Sequence, residues 1–182
     1  MAQFEPELQV RLADANFDAY VLASDYAFEV TAYATPVPGH AVNAWQLASV
    51  EPYHKCYGID PLEFSAYRGS PDAAVFMAWL HGKAVGHVVV SCNWNGLAHV
   101  DELAVDASAR RQGVARALLD VVRFWAHKRH LRGVMLETQN NNLAACLLYE
   151  RYGFVLGGSD YLRYRGIDPE TCEVALFWYL MF

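Results

Sequence analysis

The stretch Leu103–Val122, LAVDASARRQGVARALLDVV, decides the fold. Leu103-Ala104-Val105 reads as an apolar strand end that runs into a short polar turn, then Arg110-Arg111-Gln112-Gly113-Val114-Ala115, and at once a helix. A strand–loop–helix of this kind leaves the first backbone N–H groups of the helix without intrahelical partners and pointing outward. Those donors, with the positive end of the helix dipole, form a seat for phosphate oxygens. Gly113 and Ala115 keep side chains clear so that an anion can approach the backbone. Arg110, Arg111 and Arg116 add charge suited to phosphates.

Helical periodicity carries on through Gly113–His130. Val114, Ala117, Leu118, Val121 and Trp125 fall on one face, and Arg116, Asp120, Arg123 and His127 on the other. Gly133–Gln139 reads as the next strand, and Asn142–Tyr152 as a helix stopped by Gly153. Val155–Arg165 and Glu173–Phe182 close the chain as strands, and the last is apolar on both faces, which places it centrally.

Upstream, Ala73–Leu80 and Ala84–Cys92 are apolar strands joined by the hairpin turn His81-Gly82-Lys83, and Leu97–Asp106 feeds the phosphate loop. Leu8–Leu12 alternates as a first strand, Asp14–Ala23 suits a helical segment, and Phe28–Thr35 an extended one. From Pro36 to about Pro71, prolines and scattered aromatics suggest short helices and loops that shape a variable pocket.

The two C-terminal segments together resemble the GNAT superfamily of acetyl-CoA-dependent N-acetyltransferases. That family carries V-x-x-x-x-R/Q-x-x-G-x-G/A, matched by Val105, Arg110, Gly113 and Ala115. It also carries N-x-x-A-x-x-L-Y-x-x-x-G-F, matched by Asn142, Ala145, Leu148, Tyr149, Gly153 and Phe154. The resemblance implies the GNAT fold, an α/β (α+β) architecture. Its central sheet is mixed and mostly antiparallel, of about seven strands flanked by helices, with splayed strands that hold acetyl-CoA. It places the pantetheine arm along Leu103, Ala104 and Val105 and the pyrophosphate on Arg110, Arg111, Gln112, Gly113, Val114, Ala115 and Arg116, with Asn142 and Ala145 also on the cofactor. It covers roughly 73–182, the cofactor-binding core, with 1–72 as the variable substrate-side part of a single domain.

An amine near neutral pH is mostly ammonium, with a reference pKa of about 10.4 for a lysine-type amine. Something must therefore take its proton, and a carboxylate, directly or through water, is the usual agent. Tyr149 stands where the family's general-acid tyrosine protonates the departing thiolate. Glu137, in LETQ, matches the glutamate base of ribosomal-protein alanine acetyltransferases, and Asp101 lies four residues before Val105, where many members carry a catalytic glutamate. Glu137 is placed slightly ahead of Asp101. Glu102 comes third, because strand alternation turns it away from Asp101.

The runs NWNGLAHVDELAV, LETQNNNLAACLLYERYGFVLGGSDYLRYR and ALFWY are similar to the streptothricin (nourseothricin) acetyltransferases. This implies acetylation of an amine on the β-lysine arm of streptothricin-type antibiotics, and hence resistance. Arg111 and Gln112 depart from the Gly and Lys usual there, and Asp101 replaces the usual Glu. Asp101, Glu137 and Asp160 are candidates to hold the acceptor's ammonium groups. An N-terminal peptide or small-polyamine acetyltransferase stays open as a second reading, and a non-catalytic acyl-CoA-binding sensor as a third.

Charge agrees with a polyphosphate cofactor and a cationic second substrate. Of the 14 Lys and Arg, seven lie between Arg110 and Arg132, whereas residues 1–109 hold 13 acidic side chains against four basic ones. With a net charge of −6 and a short basic cluster, nucleic-acid binding is disfavoured. No apolar run approaches the roughly 18 residues needed to span a bilayer, and MAQFEPELQV lacks the basic start and apolar core of a signal peptide, so a cytoplasmic protein is expected. The four cysteines form no CxxC pair and the seven histidines no ligand cluster, so no metal site is expected. Monomer and homodimer are both compatible with the sequence.

Overall fold

A computed structural model describes residues 7–182. The first six residues of the MAQFEPELQV segment lie outside them. The described residues form two compact units, one of residues 7–26 and 57–132, the other of 27–56 and 133–182.

The first unit is a four-stranded antiparallel sheet in the order β1 (Leu8–Leu12), β4 (Ala73–Leu80), β5 (Lys83–Cys92), β6 (Ala98–Val105). Helix α1 (Phe17–Ala23) and a 3₁₀ turn, Pro61–Phe64, cover one face. Their apolar cluster joins Phe17, Tyr20, Val21 and Phe64 to Val75, Met77 and Val89. Helix α2 (Val114–Lys128) lies on the sheet with Val114, Leu118, Leu119, Val122, Trp125 and Ala126 buried. The close approach occurs at Gly86. A methyl group there would stand 2.9 Å from Val114 Cγ1 and 3.3 Å from Leu118 Cδ1, so glycine lets the first turn of α2 settle on β5. The β4–β5 turn puts His81 and Gly82 at φ 49° and 77°, the left-handed pair that a two-residue hairpin favours.

The second unit contains three further strands, β7 (Gly133–Gln139), β9 (Ala175–Met181) and β8 (Val155–Asp160), antiparallel with β9 in the middle. The central position expected of the apolar terminal strand is the one it occupies here. Helix α3 (Leu143–Tyr152) begins at Asn142, whose Oδ1 accepts the Ala145 N–H at 3.2 Å, and ends at Gly153, φ 113°. A separate hairpin pairs β2 (Phe28–Thr35) with β3 (Gln46–Lys55). Asn140, buried after β7, fastens β2 and the chain before β9. Its amide donates to the Ala34 carbonyl at 2.9 Å and the Cys172 carbonyl at 3.3 Å, and its Oδ1 accepts the Val174 N–H at 2.9 Å.

Two expectations need correction. The region from Pro36 to Pro71 is not only short helices and loops, because β3 is a ten-residue strand within it. Its residues are mostly exposed, and Pro52 falls at the irregularity opposite Val30–Ala32, so neither alternation nor composition marks it. The strand expected over Val155–Arg165 stops at Asp160, because the Asp160 carboxylate accepts the N–H groups of Leu162 (2.8 Å) and Arg163 (3.1 Å) and folds the chain into a turn. No helix among the described residues is long and apolar enough to cross a membrane.

Candidate active site

In the first unit the segment between β6 and α2, the candidate phosphate loop, is a tight turn. Asp106 caps the short turn Ala107–Ala109 by accepting the Ser108 N–H at 2.9 Å. Arg110 folds back so that its Nε donates to the Val105 carbonyl at 3.3 Å, and Gln112 donates to the Ser108 carbonyl at 3.3 Å. The chain then passes through left-handed backbone at Arg111 (φ 65°) and Gly113 (φ 82°) before α2 begins.

Gly113 is the N-cap, and no side chain caps the helix. The first helical bond runs from Ala117 N–H to the Gly113 carbonyl, so the N–H groups of Val114, Ala115 and Arg116 have no intrahelical acceptor. A Cβ on Gly113 would meet nothing within 4 Å, so the space over these donors is open. Arg111 and Arg116 are exposed beside it. Leu103 and Val105 are half-buried and Ala104 is buried on β6, where all three precede the loop.

The carboxylates of β6 do not obey simple alternation. Ser91 is opposite His99 and Val89 opposite Glu102, with an irregularity between. Ser91 and Val89, two apart on β5, share a face, so His99 and Glu102, three apart, share it too. Asp101 is bound on that same side, accepting the Ser91 hydroxyl at 2.6 Å, with His99 Nδ1 3.1 Å from its other oxygen. The expectation that Glu102 is turned away from Asp101 therefore fails, because a bulge inserts one residue. Burial pushes the Glu102 carboxyl up to about 7, and the nearby Glu63 carboxylate adds to the effect. On the same face, His87 is fully buried, with its Nδ1 3.2 Å from the Tyr20 hydroxyl, and burial holds its pKa down at about 4.

In the second unit, Tyr149 is buried on α3 with its ring 5.8 Å from Phe154 and 6.2 Å from Trp178, centroid to centroid. The caps at Asn142 and Gly153 fix both ends of the helix that carries it, and Asn142 and Ala145 bind each other as the N-terminal cap. Glu137, on β7, is fully engaged. Arg163 donates to it through Nε and Nη2, both at 3.0 Å, and the Tyr164 hydroxyl donates as well. Burial and the Glu137 carboxylate push the Tyr164 phenol upward. Asp160, third of the acceptor-holding candidates, is occupied by the turn that delivers Arg163 and Tyr164.

A second polar group lies in this unit. Lys55 is ion-paired with Glu173 and donates to Gln139 at 2.9 Å, and Asn141 donates to Glu173 at 3.2 Å. A cleft of about 240 Å³ opens beside it, lined by Tyr33, Thr35, Asn140, Tyr161, Arg165 and Glu173. Lys55 and Glu173 lie outside every run quoted from the sequence, and Arg163 and Tyr164 lie within the LETQ to LRYR run with no role assigned to them there. Arg163 and Tyr164 lie where the letters read as strand, and Lys55 where they read as loop.

The model of the acetyltransferase (GNAT) family matches residues 40–154. The chain belongs to the GNAT acetyltransferase family. It has the GNAT fold, a mixed α/β architecture, as the motif resemblance implied. Among relatives of this acetyltransferase, streptothricin acetyltransferase A of Bacillus subtilis (strain 168) is 36% identical over 132 residues, 72% of this chain and 75% of that protein. A streptothricin acetyltransferase of Escherichia coli is 37% identical over 131 residues, 72% of each. Among solved structures, a Bacillus anthracis (str. Ames) protein described as a streptothricin acetyltransferase, in complex with acetyl coenzyme A, superposes with a TM-score of 0.85 at 36% identity. That match covers 96% of this chain and 99% of the other.

Proposed function

We propose that this GNAT acetyltransferase transfers the acetyl group of acetyl-CoA to an amine of the β-lysine arm of streptothricin-type antibiotics, and so confers resistance. The observation that carries the reading is the uncapped N-terminus of α2 behind Gly113, open to an anion, in a chain over a third identical to two streptothricin acetyltransferases.

The residues present fit the cofactor. The N–H groups of Val114, Ala115 and Arg116 hold the pyrophosphate, and the side chains of Arg110, Arg111, Gln112 and Arg116 neutralise it. The backbone of Leu103, Ala104 and Val105 orients the pantetheine arm, and the cap made by Asn142 and Ala145 fixes the start of the helix that carries Tyr149. Acetyl-CoA supplies an activated thioester. Tyr149 donates its phenolic proton to the departing sulfur. Asp101, Glu137 and Asp160 are the acceptor-side carboxylates. The protein works as one acetyltransferase domain in the cytoplasm, as monomer or homodimer, on a cationic small molecule rather than on nucleic acid or membrane.

The test is thiol release from acetyl-CoA with streptothricin, simple polyamines and short peptides at equal concentration. Streptothricin is expected to be the preferred acceptor, with kcat/KM falling as salt screens the acidic side chains. Efficient peptide turnover with negligible streptothricin acetylation would replace the proposal with the peptide acetyltransferase reading. Binding of acetyl-CoA without turnover of any amine would replace it with the sensor reading.

A further inference from the structure

We propose that Glu102, rather than Glu137 or Asp101, is the carboxylate that takes the proton from the acceptor's ammonium group. The inference rests on the acetyl-transfer reading above and adds the residue that makes the nitrogen nucleophilic.

The hydrogen bonding separates the three carboxylates. Both oxygens of Glu137 face the Arg163 guanidinium, and Tyr164 donates to it too. Both oxygens of Asp101 are in use, one by Ser91 and one beside His99. The Glu102 carboxylate has no hydrogen-bond or ion-pair partner among the described residues, so its lone pairs are available to a substrate N–H.

Its position follows from the bulge. Val89 is opposite Glu102 and belongs to the apolar cluster under α1 and the Pro61–Phe64 turn, so Glu102 shares that face. Helix α2 packs on the other side of the sheet, at Gly86. Glu102 immediately precedes Leu103, so the β6 segment that contains it continues directly into Leu103–Val105 and the phosphate loop.

The groups around it keep it able to accept and release a proton near neutral pH. From the 3₁₀ turn, Glu63 faces it with a like charge. From the segment after α1, Tyr26 senses its charge, and burial pushes the Tyr26 phenol upward. From α1, Tyr20 is likewise raised by burial and is uncharged. From β5, His87 is buried, neutral and bound to Tyr20. Arg68, a cation on this face, is paired with Asp18 at 3.1 Å over the Phe17 ring. Among the described residues no cation is paired with Glu102 itself. In the step, an N–H bond of the ammonium breaks, its electron pair stays on nitrogen, and the proton forms an O–H bond on Glu102. Water later receives it.

The experiment measures kcat/KM against pH for streptothricin with wild type, Glu102→Gln and Glu63→Gln. It also follows glutamate carboxyl titration by ¹³C NMR in wild type and Glu102→Gln without substrate. Wild type is expected to show an acidic limb near neutral pH and one glutamate carboxyl titrating in the same range. Glu102→Gln should abolish that resonance and that limb and lower plateau turnover by about 10²-fold, the scale of a positioned base. Glu63→Gln should keep the plateau and move the limb to lower pH, since a repelling charge is gone. This variant decides the matter if Glu102→Gln proves unstable. Retention of the limb and resonance in Glu102→Gln, or an unmoved limb in Glu63→Gln, overturns the inference alone. A wild-type protein that acetylates no amine overturns the acetyl-transfer reading and this inference with it.

Discussion

Replacing Gly113 isolates the phosphate seat from the rest of the fold. The residue is the N-cap of α2 at φ 82°, and a Cβ added there meets nothing within 4 Å. Gly113→Ala therefore costs backbone strain alone, about 1–2 kcal/mol for an L-residue held in left-handed geometry. Gly113→Glu carries the same strain and adds a carboxylate over the free N–H groups of Val114, Ala115 and Arg116. At about 5 Å and an effective dielectric of about 20, a unit charge on that carboxylate repels one on a phosphate by about 3 kcal/mol, which is roughly a hundredfold in Kd. Both variants should melt together, slightly below wild type, whereas calorimetric CoA affinity should fall about a hundredfold further in Gly113→Glu than in Gly113→Ala. A folded Gly113→Glu protein that binds CoA as tightly as Gly113→Ala would refute the placement of the pyrophosphate.

The other predictions concern Tyr149, Asn140, His87 and Glu102. Tyr149→Phe keeps the ring packed against Phe154 and Trp178, so it should stay folded and bind CoA unchanged while turnover falls about 10²-fold; unchanged turnover in a stopped-flow assay would remove the general-acid role. Asn140→Ala strands the Ala34 and Cys172 carbonyls and the Val174 N–H, and should lower urea-measured stability by about 3 kcal/mol; a loss below half of that would mean the fastening is not structural. The buried His87 has its pKa lowered to about 4, so the unfolded chain takes up a proton first as pH falls through about 6.5, and stability is lost between there and about 4. Glu102, raised to about 7, has the opposite sign: its contribution is greatest below the unfolded carboxyl range and is lost as pH rises through about 7. Between about pH 7 and pH 5 each contribution is worth about 2 kcal/mol, so denaturation curves should show Glu102→Gln losing more stability on acidification than wild type, and His87→Gln losing less.

The segments that carry the family's motifs are legible in the sequence for a physical reason. Gly113 and Gly153 sit where the backbone is left-handed, and Asn142 where a helix start needs an acceptor, so backbone requirements leave fixed letters at fixed spacing. The strands β4, β5 and β7 announce themselves because they are buried, with Val85, Val88, Val89 and Val90 all nearly inaccessible. Strand β3 and the segment after β8 are far less legible. Strand β3 is exposed and interrupted by Pro52, so it carries no burial pattern at all. Asp160 closes a turn by hydrogen bonds that look, in sequence, like one more polar residue in a strand. Alternation ranks Glu102 behind Asp101, but one inserted residue on β6 breaks that rule, and a bulge leaves no mark in the letters themselves. Partners distant in the chain, such as Arg163 for Glu137 and Glu173 for Lys55, are set by how strands meet, which single-sequence spacing does not encode.

The most direct measurement of the central claim is the structure of the product. Purified protein is incubated with acetyl-CoA and streptothricin, and the product is analysed by fragmentation mass spectrometry and NMR to locate the acetyl group. The account predicts one acetyl group on an amine of the β-lysine arm, formed far more slowly by Gly113→Glu than by the wild type at acetyl-CoA concentrations below the variant's Kd. An unmodified antibiotic, or an acetyl group on any other part of the molecule, would contradict it.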